Sequence, residues 1–312
     1  MIQTHSTKIM KPTFILTSLF LGTAASLSAG QPSKAVVTTT TTSSTAISQE
    51  FEASYNASAG ARSNVSPFRN ADVSEQNTHL QYVLSYALPD RPILRFGVGY
   101  DRFDFGFTGP GLIPGALQSL NLVAGVDFKI SDILLRIEAQ PGFYGDNRGF
   151  NKSDFNVPIV LGASYLVSKD FQWIAGLYFN PNASNPVTGG AGFRWKMSDR
   201  CVLNAVPPNP RLEFKATDDV TLYAGGQIIV STFRVNENFT GGVVGRNYRN
   251  ALVDYTEVRA GTGASWKFSP KGVLDLEVGY MAYRDFDFHK IGDNFQTKSG
   301  AIYGQAGFKL SF

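Results

Sequence analysis

Apolar residues recur at every second position along most of this chain, and this alternation constrains the fold more than any other feature. Residues 78–88, 120–130, 155–167 and 171–179 each place their apolar side chains on one face, which carries no charge in any of the four segments. Glycines, polar residues and charges of both signs occupy the opposite face. A period of two is the period of a β-strand and not of a helix. The chain is therefore predicted to be all-β.

The lengths of the segments and of their connections indicate a membrane barrel. Most segments have ten or more residues, and a tilted strand needs ~9–11 to cross a bilayer. The connections alternate between short turns, such as 131–132 and 168–170, and long loops, such as 59–75 and 287–298. Short turns at one end and long loops at the other are typical of outer-membrane barrels, whereas a soluble sandwich shows only the alternation. We predict an antiparallel transmembrane (outer-membrane) β-barrel over 48–312.

The number of strands depends on one proline-rich stretch, 201–219. Proline has no N–H to donate to a ladder, so no single strand runs through its three prolines. If 201–206 and 211–216 form a short hairpin, the barrel has fourteen strands; if the stretch stays outside the membrane plane, it has twelve. We predict about fourteen.

The N-terminal region carries a predicted export signal. Lys8 and Lys11 precede an apolar run that is too short for a spanning helix, and small residues follow it, which is typical of a secretory signal peptide over 1–29. The Thr/Ser-rich segment 30–47 is interpreted as a periplasmic lead-in. Without the signal, 26 basic residues face 25 acidic ones, which offers no footprint for nucleic acid. Cys201 is the only cysteine, so no intrachain disulfide forms.

Two aromatic stretches break the alternation. In 97–107 the apolar residues stand at even-numbered positions up to Tyr100, and the phenylalanines that follow stand at odd-numbered positions, on the opposite face of the strand. A β-bulge near Asp101 and Arg102 would return these rings to the outer face. The similar stretch 278–288 is predicted to be a second copy of the same arrangement.

Charged residues on the face opposite to the apolar one are the candidate functional residues. The predicted lumen lining comprises Arg95, Asp101, Asp127, Lys129, Arg136, Glu138, Arg194, Lys196, Glu257, Arg259, Asp275 and Glu277. Such residues either line a pore and tune its selectivity or form ion pairs that fill the lumen. The leading hypothesis is a porin-like passive channel for small hydrophilic solutes. The alternative is a structural or surface-interaction barrel with a plugged lumen and partner-binding loops.

An enzyme is the least favoured class. Beyond the predicted signal, the only histidines are His79 and His289, and no nucleophile motif accompanies either of them. Neither metal-ligand spacing nor a phosphate-binding loop is evident, so we expect no cofactor and no metal. An outer-membrane hydrolase that uses His79 stays a minor alternative.

The closing stretch "AIYGQAGFKLSF" resembles the C-terminal strand signal of outer-membrane barrels, with Phe308, Leu310 and Phe312 on one face. Residues from about 48 to 312 resemble an uncharacterised family of outer-membrane β-barrel domains, through "VGYDRFDFGF", "PNPRLEF", "VTLYAGG" and "EVRAGTGASWKF". The resemblance implies a Gram-negative outer-membrane location, with membrane lipid and the barrel-assembly machinery as partners. It implies no particular activity.

Overall fold

The computed structural model describes residues 46–62, 72–88, 92–108, 112–146, 149–239, 241–243 and 245–312. The predicted signal peptide and most of the lead-in lie outside these residues. The strands are β1 Ala46–Arg62, β2 Asp72–Ala87, β3 Ile93–Phe107, β4 Ala116–Ile130, β5 Ile133–Ala139, β6 Gly142–Asp146, β7 Phe155–Asn156, β8 Ile159–Leu166, β9 Phe171–Phe179, β10 Val187–Lys196, β11 Cys201–Asn204, β12 Arg211–Lys215, β13 Val220–Arg234, β14 Leu252–Ser269, β15 Gly272–Phe288, β16 Asp293–Gln296 and β17 Ala301–Ser311. A short 3-10 helix spans Lys152–Asp154. No helix in this part of the chain is long and apolar enough to span a membrane.

The strands form one closed antiparallel barrel. Closure comes from β1, which pairs with β2 on one side and with β17 on the other. Three wall strands are each interrupted once and therefore consist of two pieces. The first consists of β5 and β6, which both pair with β4, and the second consists of β7 and β8, which pair with β6 and β5. The third consists of β16 and β17, which both pair with β15. Counting each interrupted strand once gives fourteen wall strands, which confirms the prediction.

The proline-rich stretch forms the predicted hairpin, with only four residues in β11 and five in β12. Pairing continues past β12 because proline still offers a carbonyl. Pro210 O accepts from the Gly226 N–H and Pro208 O from the Ile228 N–H, each at 2.9 Å. The loop of the hairpin thereby stays attached to the edge of β13.

The two faces of the wall differ as the alternation predicts. In β17, Ile302 is 72% exposed on the outer face, whereas the adjacent Tyr303 is 2% exposed on the inner face. Trp173, Trp195 and Trp266 are also exposed on the outer face. An apolar exterior with aromatic residues towards the strand ends is the surface of a barrel that contacts lipid.

Short turns join the strands at one end of the barrel, and the connections at the other end are longer, with one exception. We call these the short-turn end and the long-loop end. The predicted long loop over 287–298 is wrong in part: it contains a four-residue turn followed by β16. Residues there pair with β15 because a β-ladder satisfies backbone groups that a loop would leave to water.

Strand length divides the barrel into two sides. The 18 residues of β14 rise about 45 Å along the barrel axis at a tilt of about 40°. The nine residues of β9 rise only about 23 Å, close to the height of a ~25 Å apolar band. The long strands β1–β4 and β13–β15 therefore extend well beyond the membrane at the long-loop end, while β8–β12 do not.

A charge on the outer face tests this assignment. Leu177, two residues past the middle of β9, is 52% exposed there, and Leu177→Lys should destabilise the inserted barrel by about 2 kcal/mol or more. Gln172→Lys, on the polar inner face of the same strand, removes one hydrogen bond to Ser164 Oγ and should cost only about 1 kcal/mol. Urea unfolding in liposomes measures both values, and equal losses would contradict the face assignment.

Candidate functional site: a closed lumen above a charged vestibule

The two aromatic stretches that break the alternation point into the barrel. In β3 the register with β2 runs through Arg102 without a bulge, and Phe103 is buried at 1% exposure. In β15 a bulge does occur, between Met281 and Tyr283, but it turns Phe286 inward. The prediction that bulges return these rings to the outer face is therefore wrong. These segments lie in the parts of the long strands nearest the long-loop end, where apolar side chains lose contact with water by packing inside the barrel.

Inward-pointing aromatic side chains meet across the lumen. The ring centroids of Phe103 and Tyr255 are 5.1 Å apart, those of Phe103 and Phe233 are 6.0 Å apart, and those of Phe105 and Phe286 are 4.9 Å apart. Four strands separate β3 from β14 around the wall, so these contacts join opposite walls. We call this group the aromatic plug; it comprises Phe103, Phe105, Phe233, Tyr255, Phe286 and Phe288, with buried Leu117, Tyr144, Ile229 and Val253 packed against it. It closes the long-loop half of the lumen.

The opposite walls come together because β13 meets β6 above the short strands. Arg234 of β13 lies beside Gly145 of β6 in a parallel bridge. The Asn236 N–H donates to Asp146 at 2.9 Å, and Arg234 Nε donates to the Ser153 carbonyl at 2.7 Å. Because β13 meets β6 directly, the short strands between them do not contribute to the wall in the long-loop half. The barrel is therefore narrower there, and aromatic rings fill its interior.

Loop residues complete the plug from above. Tyr248, in the connection between β13 and β14, packs its ring edge-on against Phe288 with centroids 5.0 Å apart. Burial raises the pKa of the Tyr248 hydroxyl, and the hydrogen bond to Asp293 adds to the shift. The hydroxyl therefore stays protonated and donates a hydrogen bond to the Asp293 carboxylate.

A buried ionic cluster joins four strands beside the plug. Arg284 of β15 is 0% exposed. Its Nη2 lies 2.6 Å from Glu75 Oε2 on β2 and 2.9 Å from Glu257 Oε2 on β14, and it donates to Ser58 Oγ on β1 at 2.8 Å. The Tyr255 hydroxyl lies 2.5 Å from the same Glu75 oxygen. A buried guanidinium needs such partners because an unpaired charge in the interior is strongly destabilising.

The short-turn half of the lumen is a charged vestibule, which we define as the inward-facing surface between the aromatic plug and the short turns. Four of the predicted lining residues pair with one another there. Arg136 binds Asp127 through two contacts of 2.7 Å, and Arg95 lies 3.6 Å from Glu138. These side chains are part-buried, as expected for a wall that is neither packed nor fully solvated.

The remaining predicted lining residues lie at separate places on the inner face. Glu257 and Arg259, 3.6 Å apart, belong to the buried cluster. Asp275 accepts from Ser265, Glu277 lies 3.7 Å from Arg211, and Lys196 binds Asp199 of the following turn at 2.7 Å. That hydrogen bond lowers the pKa of the Asp199 carboxyl. Lys129 and Arg194 occupy inward positions of β4 and β10, and Asp101 belongs to the pocket described below.

Two tyrosine rings in the vestibule lie against glycines of the wall. A Cβ on Gly263 would come within 2.5 Å of Tyr223 Cζ, and a Cβ on Gly279 within 2.8 Å of Tyr303 Cε1. The guanidinium of Arg211 stacks on Tyr223 at 4.3 Å. These two tyrosine side chains therefore lie close to the wall, and both are buried.

A small polar pocket lies where the vestibule meets the plug. It has a volume of about 20 Å³ and is lined by His79, Gln81, Gly99, Asp101, Ser119, Asn121, Gln140, Tyr144, Tyr178 and Ser231. One Asp101 oxygen lies 2.6 Å from His79 Nδ1, and the other accepts from Ser119 Oγ at 3.2 Å. Such a volume holds about one water molecule or one hydroxyl group.

The geometry of the pocket does not match a hydrolase. Ser119 and His79 bind the same carboxylate from its two oxygens, so the acid lies between the hydroxyl and the imidazole. A nucleophilic serine needs the imidazole beside its own hydroxyl. His289 instead lies 3.5 Å from Asp254 at the long-loop end. No group of His, Cys, Asp and Glu suited to a metal ion occurs among the described residues.

Sequence reasoning missed the plug, Arg284 and Glu75. One signal in the sequence marked the plug: the change of parity after Tyr100, where the outward aromatics end and the inward ones begin. No comparable signal marked Arg284, because its partners on β1, β2 and β14 are distant in sequence.

Fold and site together define a membrane-spanning β-barrel of the outer-membrane type with a plug in one half of its lumen. No protein-family model matches the chain, and no curated protein matches it. Among solved structures, an outer-membrane channel from Pseudomonas putida F1 aligns at 13% identity and a TM-score of 0.44, over 86% of this chain and 96% of that one. The Pseudomonas putida toluene transporter TodX aligns at 10% identity and 0.37, over 85% and 89%. A Pseudomonas aeruginosa FadL homologue aligns at 11% and 0.33, over 85% and 89%. Likeness at this level carries no argument about function.

The buried cluster predicts a large difference between two arginines. Arg284→Ala leaves Glu75 buried without its cation and Glu257 with only Arg259 at 3.6 Å, and should lower the free energy of unfolding by about 3–5 kcal/mol. Arg102→Ala removes an equally close ion pair with the more exposed Asp104 and should cost at most about 1 kcal/mol. Urea unfolding of the two variants in liposomes compares them, and similar losses would show that the cluster does not anchor the walls.

Proposed function

We propose that this protein is an outer-membrane channel for small hydrophilic solutes that is held closed by its aromatic plug. The observation that carries the proposal is the contact of Phe103 with Phe233 and Tyr255 across the lumen, directly above a vestibule lined by paired, part-buried charges. Barrels of this type place short turns in the periplasm and long loops outside the cell. The vestibule then opens to the periplasm, and the plug faces the exterior.

Two features of the vestibule favour a channel over an inert barrel. Two of its tyrosines, Tyr223 and Tyr303, lie against glycines of the wall, where a Cβ would collide with their rings. Its charges are paired with opposite charges, as in Asp127 with Arg136 and Glu277 with Arg211. A wall with balanced, part-solvated charges admits polar solutes without strong selection for either sign.

Opening the plug tests the proposal. The wild-type protein should show little conductance in planar bilayers, whereas the Phe103→Ala/Phe105→Ala variant should conduct steadily, because both rings reach across the lumen. Phe96→Ala is the matched control: Phe96 lies on the same strand but is 54% exposed on the outer face. It should behave as the wild type.

Three outcomes are informative in this experiment. Steady conductance of the wild-type protein would contradict the closed plug. Silence of the double variant, with normal heat-modifiable migration to show that it is folded, would contradict the channel and favour a structural barrel. Conductance of Phe96→Ala equal to that of the double variant would show that the effect is not specific to the plug.

The second candidate function is binding of a surface partner at the long-loop end. The observation in its favour is the height of the long strands, which rise about 13–20 Å beyond a ~25 Å apolar band and are packed internally by the plug. A rigid body outside the membrane suits a partner as well as a gate. If the double variant stays silent, this alternative becomes the leading one.

A further inference from the structure

The aromatic plug does not extend around the whole inner wall. Its rings come from β3, β13, β14 and β15. Beside them, the inward residues of β1, β2 and β17 are polar. Phe103 pairs with Asn77 of β2, and Phe105 pairs with Glu75, so the polar residues lie at the same height as the rings. We call this side of the plug the polar seam; it comprises Asn56, Ser58, Glu75, Asn77 and Gln305.

The middle of the polar seam has hydrogen-bonding atoms that the protein leaves unpaired. Asn56 lies between Asn77 and Gln305 of the neighbouring strands and is 2% exposed. Neither its Nδ2 nor its Oδ1 has a hydrogen-bond partner in the part of the chain that the structure describes, and the same holds for the buried Gln305 Oε1. Native proteins satisfy such buried groups with protein atoms or with ordered water. Water is the ligand that suits these atoms, because it donates to both oxygens and accepts from the Asn56 N–H.

The polar seam can be reached from the vestibule. Gln305 is part-exposed, and so are the next inward residues towards the short-turn end, Gly307 of β17 and Ser54 of β1. An ideal Cβ on Gly307 would meet its nearest neighbour, Asp275 Cβ, only at 3.6 Å, which is an ordinary van der Waals distance. The wall is therefore not packed over at this point. Water in the vestibule reaches Gln305 and, directly beside it, Asn56.

Arg284 closes the polar seam towards the long-loop end. Its Nη2 donates to Ser58 Oγ at 2.8 Å and lies 2.6 Å from Glu75 Oε2, and its Nη1 donates to the Val73 carbonyl at 3.2 Å. The guanidinium thus spans β1 and β2 above Asn56. A hydrophilic solute that moves along this side exchanges hydrogen bonds with water, amides and a guanidinium. Between the rings it would lose its hydrogen bonds without replacement, which is costly.

We propose that the polar seam holds water in the closed protein and is the side along which hydrophilic solutes pass the plug when it opens. This rests on the proposed function, since it names the path through the same plug. Chemistry selects the path: the polar seam offers hydrogen-bond partners at the height of Phe103 and Phe105, where the rest of the plug offers only apolar surface.

Thiol accessibility in the closed protein tests the water in the polar seam. Cys201 is the only cysteine, so Cys201→Ser gives a cysteine-free chain. In that chain, Asn56→Cys is compared with Leu117→Cys, because Leu117 pairs with Phe103 from the other side and is 0% exposed. The reagent is 2-aminoethyl methanethiosulfonate, a small cation that arrives through water. Asn56→Cys should react at least about tenfold faster than Leu117→Cys. If Asn56→Cys lacks the heat-modifiable migration of a folded barrel, Gln305→Cys takes its place.

Conductance of the opened protein tests the path. In the cysteine-free Phe103→Ala/Phe105→Ala variant, the same cationic reagent is applied to Ser58→Cys. The adduct should lower the single-channel conductance about twofold or more, because it adds bulk and charge to the path. The control is Ile229→Cys, since Ile229 is 3% exposed and packs with the rings on β13, outside the polar seam. Treatment of that variant should leave the conductance unchanged.

The outcomes separate this proposal from the channel itself. Reaction of Asn56→Cys and Gln305→Cys no faster than that of Leu117→Cys would overturn the water in the polar seam. A loss of conductance at Ser58→Cys no larger than that at Ile229→Cys would overturn the path while the channel stands. A silent opened variant would overturn the channel and the path together, and the reaction rates in the closed protein would still decide whether the polar seam holds water.

Discussion

The contact of Phe103 with Phe233 and Tyr255 across the lumen is the constraint on which the rest of the structure depends. Eight strands leave an interior just wide enough for side chains to fill, whereas sixteen to eighteen leave an aqueous channel. Fourteen strands are too many for rings from opposite walls to touch in an even cylinder. The rings meet because β6 and β13 join above the short strands and narrow one half of the barrel.

Because one half of the barrel is narrower, the two ends of the same strands carry different kinds of inward-facing residue. Near the long-loop end, inward positions carry rings and the Arg284 cluster, which are buried together. Near the short-turn end, inward positions carry glycines, tyrosines and paired charges. The buried cluster is a poor source of stability in itself. We interpret it as fixing the register of β1, β2, β14 and β15 where the two halves meet.

The sequence predicted what depends on local pattern. Strand period, the alternation of turns and loops, the hairpin over 201–219 and the outward face of the closing strand all follow from residues near one another in the chain. The direction of Phe103 does not. A ring at that position is expected to face outward if its height along the barrel axis lies within the lipid, and inward if it lies beyond the lipid. That height depends on the lengths of all the strands. The partners of Arg284 likewise follow only from the closed topology.

The point along a strand at which its apolar residues change from the outer to the inner face marks the level at which that strand leaves the lipid. In β4, Leu122 is exposed on the outer face and Leu117 is buried inside. In β3 the same change falls between Phe96 and Phe103. The polar residues of the pocket, Asp101 and Ser119, lie on these strands between the two kinds of apolar position. A polar layer at that level follows physically: outward apolar groups face lipid below it, inward apolar groups form the plug above it, and hydrogen-bonding side chains face the lumen between them.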